Sequence, residues 1–298
     1  MKSVIICPGR RPGLEGLWER SPLANKPLFG KTVVEHWLEF LAAKGAKHVK
    51  VIAPDRAQEI SRRLGSGERW GISLEVVSEP SESKVEDARA RFRKKDEIGW
   101  MAEPNDVIVA DCLPWDTQHN LFSSYTGFFH SLRSWMPHAR QEPHVGLHEI
   151  QPGVWAGLRT RIAANVKFCA PVWLGDYVHI EEGATVGPNA VVENYAWVAA
   201  GAEITDSCLS EETYLGPATH LNHSLALGAT LIDWKSNSVT WIKDPFLLCN
   251  LRVPPLKKRI SEMLYSLIER SPKKAKNDAQ AYGRQEQSQP LGFHPGMR

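Results

Sequence analysis

The sequence of 298 residues has few cysteines and little net charge, and each of these shortages excludes a class of protein. Its five cysteines show neither paired nor metal-type spacing, so we expect reduced thiols in a cytoplasmic protein rather than a disulfide framework. A net charge of +2 gives no general attraction to nucleic acid. The cysteines are Cys7, Cys112, Cys169, Cys208 and Cys249.

Long apolar runs are also missing. None approaches the roughly 18 residues that a transmembrane helix needs, so we expect no membrane span. The apolar stretch at the start, residues 4–7, is too short for the core of a signal peptide and is typical of a first β-strand. The length is that of about two domains, each with its own core.

What the sequence does contain is a repeat of six residues. Aliphatic or small residues recur at this spacing through the middle of the chain, with one link of five before Leu209. A period of six fits neither a helix nor simple alternation, and it predicts a solenoid in which three short strands close a triangular coil. The repeated positions are Ala156, Ile162, Phe168, Leu174, Ile180, Val186, Val192, Val198, Ile204, Leu209, Leu215, Leu221 and Leu227.

This tract resembles the hexapeptide-repeat, left-handed parallel β-helix of acyltransferases and sugar-nucleotide enzymes. Before it, strand patterns at 3–7, 48–53, 73–78 and 106–110 alternate with helical patterns at 32–44, 54–64, 83–95 and 117–136. Such alternation predicts a parallel sheet with helices on both faces. We therefore divide the chain into an α/β domain (1–137), a linker (138–153), the β-helix (154–232), a strap with a C-terminal amphipathic helix (233–270) and a disordered tail (271–298).

Two loops of the α/β domain stand at predicted strand ends, where parallel sheets bind ligands. The first contains Gly9, Arg10, Arg11 and Gly13, and the second begins at Asp111. Between them, residues 21–31 include Lys26 before Pro27.

This combination resembles the Rossmann-like, GT-A type nucleotidyltransferases that join a sugar 1-phosphate to a nucleoside triphosphate. The resemblance implies that the loop residues and Lys26 bind the phosphates and that Asp111 holds Mg²⁺. Two departures favour an alternative, a catalytically degenerate nucleotide- or nucleotide-sugar-binding regulator or scaffold. Arg11 replaces the family's second loop glycine, and the domain is short.

The order of the two halves resembles the bifunctional enzymes that make UDP-N-acetylglucosamine. In that family a histidine of the solenoid is the base for acetyl transfer from acetyl-CoA, and His220 matches it, with Asn222 and His223 as neighbouring acyl-site candidates. An imidazole suits this task because it titrates near neutrality. A zinc site of His179, His220 and His223 is the alternative, although the repeat register places His179 near Tyr214 instead.

One outward position of the repeat is aromatic in successive coils, at Trp155 and Trp173, and Val191 continues the row. Exposed aromatic stripes are typical of interfaces, so we predict a homotrimer through this face. The alternative is that the linker or the 256–270 helix packs there within one chain. The overall hypothesis is a sugar-nucleotide pathway transferase whose partners are a nucleotide or nucleotide-sugar, Mg²⁺ and, at the solenoid, an acyl donor.

Overall fold

A computed structural model of the chain describes residues 1–93, 104–137 and 146–251. Its first part is a four-stranded parallel sheet in the order β5-β4-β1-β6, which is Rossmann-like and confirms the predicted α/β arrangement. Two short 3₁₀ helices, Leu23–Asn25 and Glu68–Trp70, complete it. The elements are β1 (Lys2–Ile6), α1 (Glu15–Trp18), β2 (Pro27–Leu28), β3 (Lys31–Thr32), α2 (Val33–Ala43), β4 (His48–Ala53), α3 (Ala57–Leu64), β5 (Ser73–Ser78), α4 (Val85–Arg93), β6 (Asp106–Val109) and α5 (Tyr125–Trp135).

Local sequence signals account for α2. The Thr32 side chain accepts from the Glu35 N–H while the Glu35 carboxylate accepts from the Thr32 N–H, which is a capping box. Gly45 ends the helix at φ +85°, a backbone conformation that side chains disfavour. Beneath α2, the buried strands β1 and β4 supply the centre of the sheet.

Two helices begin later than the sequence predicted. Residues 117–124 are not helical, because the Leu121 N–H binds the Asp111 carbonyl and the Phe122 N–H binds the Asn120 side chain. These bonds hold a turn, so α5 starts only after Ser124, whose hydroxyl accepts from the Gly127 N–H. Helix α3 starts at Ala57 rather than 54, since Arg56 has a left-handed backbone at φ +43°.

The second part consists of short strands, and consecutive strands belong in turn to three different sheets. The strands are β7 (His148–Gln151), β8 (Val154–Ala156), β9 (Arg161–Ile162), β10 (Lys167–Phe168), β11 (Val172–Leu174), β12 (His179–Ile180), β13 (Thr185–Val186), β14 (Ala190–Val192), β15 (Trp197–Val198), β16 (Glu203–Thr205), β17 (Cys208–Leu209), β18 (Thr213–Leu215), β19 (His220–Asn222), β20 (Ser224–Leu227), β21 (Thr230–Asp233), β22 (Ser238–Trp241) and β23 (Leu248–Asn250).

We call the three parallel sheets face 1 (β8-β11-β14-β17-β20), face 2 (β9-β12-β15-β18) and face 3 (β10-β13-β16-β19). Consecutive strands move from face 1 to face 2 to face 3, an arrangement compatible with the predicted β-helix. The repeated apolar positions from Leu174 to Leu221 form a separate buried core.

The predicted inward position of Leu227 is wrong. The register pairs Leu209 with Ala226, which is fully buried in the repeat core, whereas Leu227 packs against the other core. A second link of five residues therefore separates Leu221 from Ala226. It comes where β20 leaves the parallel pattern and forms an antiparallel hairpin with β21.

Both ends of the repeat region carry antiparallel strands. In the predicted linker, β7 pairs with β8, and residues 138–145 lie outside the described part of the chain. After the repeats, β21 and β22 form a hairpin, and β23 pairs antiparallel with β18 at the edge of face 2. The predicted helix at 256–270 and the tail at 271–298 also lie outside the described residues. Among the described helices, none combines the length and apolar character that crossing a bilayer requires.

The predicted trimer seam at Trp155 and Trp173 is wrong. Trp173 is only 1% exposed and its ring meets Phe29 of the α/β part edge-on, with 5.4 Å between centroids, while Trp155 is half-buried against the same core. The outward row of face 1 is therefore covered within one chain, by residues of the α/β part. The row is Trp173, Val191, Cys208 and Leu225.

Candidate functional site

The carboxyl ends of four parallel strands meet at one edge of the first sheet. The loops that follow them are residues 7–13 after β1, 54–56 after β4, 79–84 after β5 and 110–124 after β6. Because parallel strands all end on the same side, these loops form one surface, which is where α/β sheets bind ligands.

The loop after β1 forms an anion site, and a carboxylate of the chain occupies it. The Gly9 N–H donates to Glu82 Oε2 at 2.8 Å. Arg11 donates from both terminal nitrogens, Nη1 to Oε2 at 2.5 Å and Nη2 to Oε1 at 2.9 Å. A bidentate guanidinium and a backbone N–H are the donors that bind carboxylates and phosphates most strongly. The loop can therefore bind a phosphate if Glu82 moves away.

Burial by itself would raise the pKa of Glu82, but the hydrogen bonds from Arg11 and Gly9 and the charge of Arg11 outweigh it. The pKa of Glu82 consequently lies below its usual value, and the carboxylate is ionised at neutral pH. Glu82 was not predicted from the sequence, because it lies 71 residues after Arg11 in a loop with no recognisable motif.

Asp111 belongs to the same site. Its carboxylate is half-buried and accepts from Asn120 Nδ2 at 2.8 Å. Burial raises its pKa, the charge of Glu82 adds to this rise, and the charge of Arg11 opposes it. The charges of Arg11 and Glu82 therefore both act on Asp111, and its role in holding Mg²⁺ stays a prediction.

The remaining loop residues have other contacts. Arg10 is exposed and pairs with the buried Asp55, with 3.1 Å between Nη2 and Oδ1. Arg56 binds the other carboxylate oxygen of Asp55 at 2.7 Å. Gly13 opens α1 at φ +83° and its N–H donates to Glu15, so it serves the turn rather than the anion site.

Lys26 lies among a different set of charges. It is 4% exposed, and its charged neighbours are Arg56, Arg20 and Glu211 of the repeat part. Burial, aided by the charge of Arg56 and opposed by that of Glu211, lowers its pKa to about 7. Lys26 thus lies near the junction of the two parts, within range of the charge of Glu211.

A cleft of about 610 Å³ runs from the Asp111 region along α5. Its lining includes Asn120, which binds Asp111, and the basic side chains of His119, His130 and Arg133. The volume suits a small ligand. His130 also contacts Trp234 of the repeat part, at 5.6 Å between ring centroids.

The repeat part separates the predicted histidines. His220 is exposed on face 3, where its Nδ1 lies 2.9 Å from Glu203 Oε2 of the preceding coil. His223 packs against Trp234, with 5.3 Å between ring centroids. Asn222 is exposed beside His220 on β19, and its carbonyl accepts from the Ser224 hydroxyl.

His179 lies on face 2, in a row with Trp197 and Tyr214, as the repeat register predicted. It is therefore on a different face from His220. The part of the chain that the structure describes holds no group of three or more His, Cys, Asp or Glu side chains suited to a metal ion.

The sequence also missed a buried carboxylate at the junction. Glu193 is fully buried, and its two oxygens accept from the Phe29 N–H at 2.6 Å and the Gly30 N–H at 2.8 Å. Asn194 Nδ2 donates to the Gly30 carbonyl at 3.2 Å. These bonds fasten the β2–β3 turn to the repeat part. The only indication of this buried carboxylate in the sequence was that a polar residue directly follows the inward-facing Val192.

Comparison with known proteins finds similarity in one segment of 88 residues. Over this segment the chain is 28% identical to a UTP–glucose-1-phosphate uridylyltransferase of Synechocystis sp.. The alignment covers 28% of this chain and 22% of that protein, so the chain spans about a fifth of the length of this relative. The relationship is to nucleotidyltransferases at a coarse level. No family model matches the sequence.

Proposed function

We propose that the chain is a sugar-nucleotide pathway transferase of the nucleotidyltransferase type, acting at the carboxyl edge of the first sheet. The observation that carries the proposal is the convergence of the Gly9 N–H and the Arg11 guanidinium on one carboxylate beside Asp111. The distant similarity to a uridylyltransferase supports the same class. Residues 154–232, as a left-handed β-helix, provide the support on which the α/β part packs.

In this reaction an oxygen of the sugar 1-phosphate attacks the α-phosphorus of the nucleoside triphosphate, and pyrophosphate leaves with the electrons of the broken P–O bond. Such transfers depend mainly on positioning and on neutralising negative charge. Gly9 and Arg11 hold the phosphate oxygens by hydrogen bonds in place of Glu82. Arg10 remains paired with Asp55 at the entrance of the loop.

Asp111 fits Mg²⁺, because this ion binds to one or two carboxylates together with substrate phosphates. Its half-buried carboxylate has a raised pKa, so a cation that accompanies the nucleotide would stabilise its ionised form. Bound Mg²⁺ would supply further charge neutralisation on the phosphates. The phosphate role of Lys26 stays a prediction, since its charged neighbours are Arg56, Arg20 and Glu211.

The test is thermal shift and calorimetry of the full chain with UTP and other nucleoside triphosphates, with and without Mg²⁺. A ligand that binds only the native state raises the unfolding midpoint. We expect a Mg²⁺-dependent shift that Asp111→Asn abolishes. The matched control is Arg62→Gln, on the exposed side of α3. If no nucleotide or nucleotide-sugar raises the unfolding midpoint, the proposal is contradicted and the scaffold alternative remains.

The same assay tests whether Glu82 competes with the nucleotide. Glu82→Gln removes the charge that occupies the loop but keeps the shape of the side chain. We expect triphosphate to bind about tenfold more tightly to this variant, which corresponds to about 1.4 kcal/mol. An unchanged or weaker affinity would show that phosphate does not use the Gly9 and Arg11 donors.

A second candidate function rests on the His220–Glu203 pair. With Nδ1 directed at the Glu203 carboxylate, Nε2 of His220 is left to take a proton from an attacking amine. The amine would bond to the carbonyl carbon of acetyl-CoA, and the thiol would leave with a proton. This second function is supported if His220→Ala abolishes acetyl transfer while the exposed control Glu182→Ala retains it. Acetyl transfer that is unchanged in His220→Ala would exclude this function.

A further inference from the structure

The small hairpin of β2 and β3 connects the two parts of the chain through its turn. Phe29 and Gly30 both have a left-handed backbone there, at φ +54° and +83°, the combination found in type I′ hairpin turns. A bulky side chain such as that of Phe29 disfavours this conformation. The turn therefore depends on contacts outside the hairpin to keep its shape.

The repeat part supplies most of those contacts. Glu193 accepts from the Phe29 and Gly30 N–H groups at 2.6 Å and 2.8 Å, and Asn194 Nδ2 donates to the Gly30 carbonyl at 3.2 Å. The Phe29 ring is buried between Trp135 and Trp173, at 4.8 Å and 5.4 Å between centroids. The turn is consequently fixed to face 1 of the repeat part.

Lys26 lies at the open end of the same hairpin. The Val33 N–H donates to the Lys26 carbonyl at 3.3 Å, and β2 and β3 pair antiparallel between this bond and the turn. Each strand has only two residues. The position of the turn therefore determines the position of Lys26.

The side chain of Lys26 is buried without a direct partner. Lys26 is 4% exposed, and within the described part of the chain its ammonium makes no hydrogen bond or ion pair. An unpaired buried cation is costly, and such groups are candidates for binding a ligand of opposite charge. Its charged neighbour Arg56 shares Asp55 with Arg10 of the β1 loop, at 2.7 Å and 3.1 Å. Lys26 is thus within electrostatic reach of the carboxyl edge of the sheet.

We propose that Glu193 is a positioning residue of the transferase. By holding the Phe29–Gly30 turn, it places the Lys26 ammonium where a phosphate of the nucleoside triphosphate can meet it. This inference rests on the proposed function, and it makes the repeat part a contributor to the site instead of only a support. A small displacement of a group that positions a substrate has large effects, about 100-fold for about 1 Å.

Coupling between Glu193 and Lys26 tests the proposal. Binding of UTP with Mg²⁺ to the full chain is measured by calorimetry, at a temperature where circular dichroism shows that each variant is folded. Glu193→Gln, which removes one of the two acceptors, and Lys26→Met should each weaken binding about tenfold, as expected for the loss of a hydrogen bond to a charged group. The double variant should bind no more weakly than Lys26→Met alone, because Glu193 acts through Lys26.

The matched control is Leu225→Ala. It opens a cavity in the same buried core between the two parts but removes none of the hydrogen bonds of the turn, so it should bind UTP as the wild type does. Losses of Glu193→Gln and Lys26→Met that simply add, an unchanged affinity in Glu193→Gln, or an equal loss in Leu225→Ala would overturn the proposal.

The reactivity of the Lys26 amine gives a second test that needs no nucleotide. Competitive labelling with acetic anhydride at a series of pH values, followed by mass spectrometry, measures its pKa. Burial and the charge of Arg56 lower this pKa to about 7. When Glu193→Gln loosens the turn, water reaches the amine, so the pKa should rise towards its usual 10.5.

Leu225→Ala should leave the pKa of Lys26 unchanged. A pKa that is also unchanged in Glu193→Gln overturns the proposal, even if the affinity for UTP falls. A wild-type chain that binds no triphosphate would instead refute the proposed function, and the labelling alone then decides whether Glu193 positions Lys26.

Discussion

The buried Glu193 carboxylate at the junction of the two parts allows the sharpest test of the structure. Glu193→Ala removes the acceptor of two backbone N–H groups, those of Phe29 and Gly30. The Glu193 side chain is fully buried. Each buried donor that loses its acceptor costs about 1–3 kcal/mol. With two such donors, we expect the free energy of unfolding to fall by about 2–6 kcal/mol. Exposed Glu182→Ala is the matched control and should change it by less than about 0.5 kcal/mol.

The pH dependence adds a signature that packing alone would not give. Burial raises the pKa of Glu193 from 4.5 to about 8, although the N–H groups of Gly30 and Phe29 oppose the rise. The folded chain thus keeps a proton that the unfolded chain releases between these values. The contribution of Glu193 to stability is therefore largest below about pH 4.5 and falls as pH rises towards 8, by up to about 1.4 kcal/mol per unit in the middle of this window.

Glu193→Gln separates the two effects. The amide keeps one acceptor oxygen and cannot ionise, so we expect a cost of about 1–2 kcal/mol at pH 5.5 that shrinks or reverses by pH 7. Urea unfolding of wild type and variant, followed by tryptophan fluorescence and circular dichroism, measures this difference at each pH. A difference that is independent of pH, or an alanine variant that loses less than about 1 kcal/mol, would refute the reasoning.

Three further outcomes are expected from unfolding measurements. Burial, with the charge of Arg56, lowers the pKa of Lys26 to about 7 from 10.5, so stability should rise with pH between these values, and Lys26→Met should remove this rise. Trp173→Ala should cost about 3–5 kcal/mol, whereas exposed Trp241→Ala should cost less than about 1 kcal/mol. Gly67→Ala should lower the free energy of unfolding more than Gly45→Ala does. Both glycines have positive φ, but at Gly67 the new Cβ would also lie 2.5 Å from the Ile72 carbonyl oxygen, whereas at Gly45 it would meet no atom within 4 Å. Equal losses would contradict this packing.

Regular spacing made much of the fold predictable. The hexad register anticipated the rows of the repeat part as far as Leu221, and the row of His179 with Tyr214. The four parallel strands and α2 followed from apolar runs and from the helical spacing of apolar residues. In each case neighbours along the chain determine the structure, so the pattern is visible in the sequence.

Contacts between distant residues were not predictable. The aromatic row of Trp155 and Trp173 was interpreted as a seam between copies, and nothing in the sequence said that the Trp173 ring packs against Phe29 of the same chain. Arg11 was recognised as a loop residue, yet its contact with Glu82 depends on how the β5–α4 loop folds back. The position of Asp111 directly after a strand was visible in the sequence, whereas the surroundings of Lys26 depend on the repeat part.

The buried row of face 1 has a consequence for how this protein can change during evolution. Trp173, Val191, Cys208 and Leu225 come from four consecutive coils and all belong to the core shared with the α/β part. Solenoids commonly gain or lose whole repeats, because each repeat contacts only its neighbours. Here a coil added or deleted between Trp173 and Leu225 would shift that row out of register with Phe29 and the helices above it. Packing against the α/β part therefore constrains the number of coils between Trp173 and Leu225.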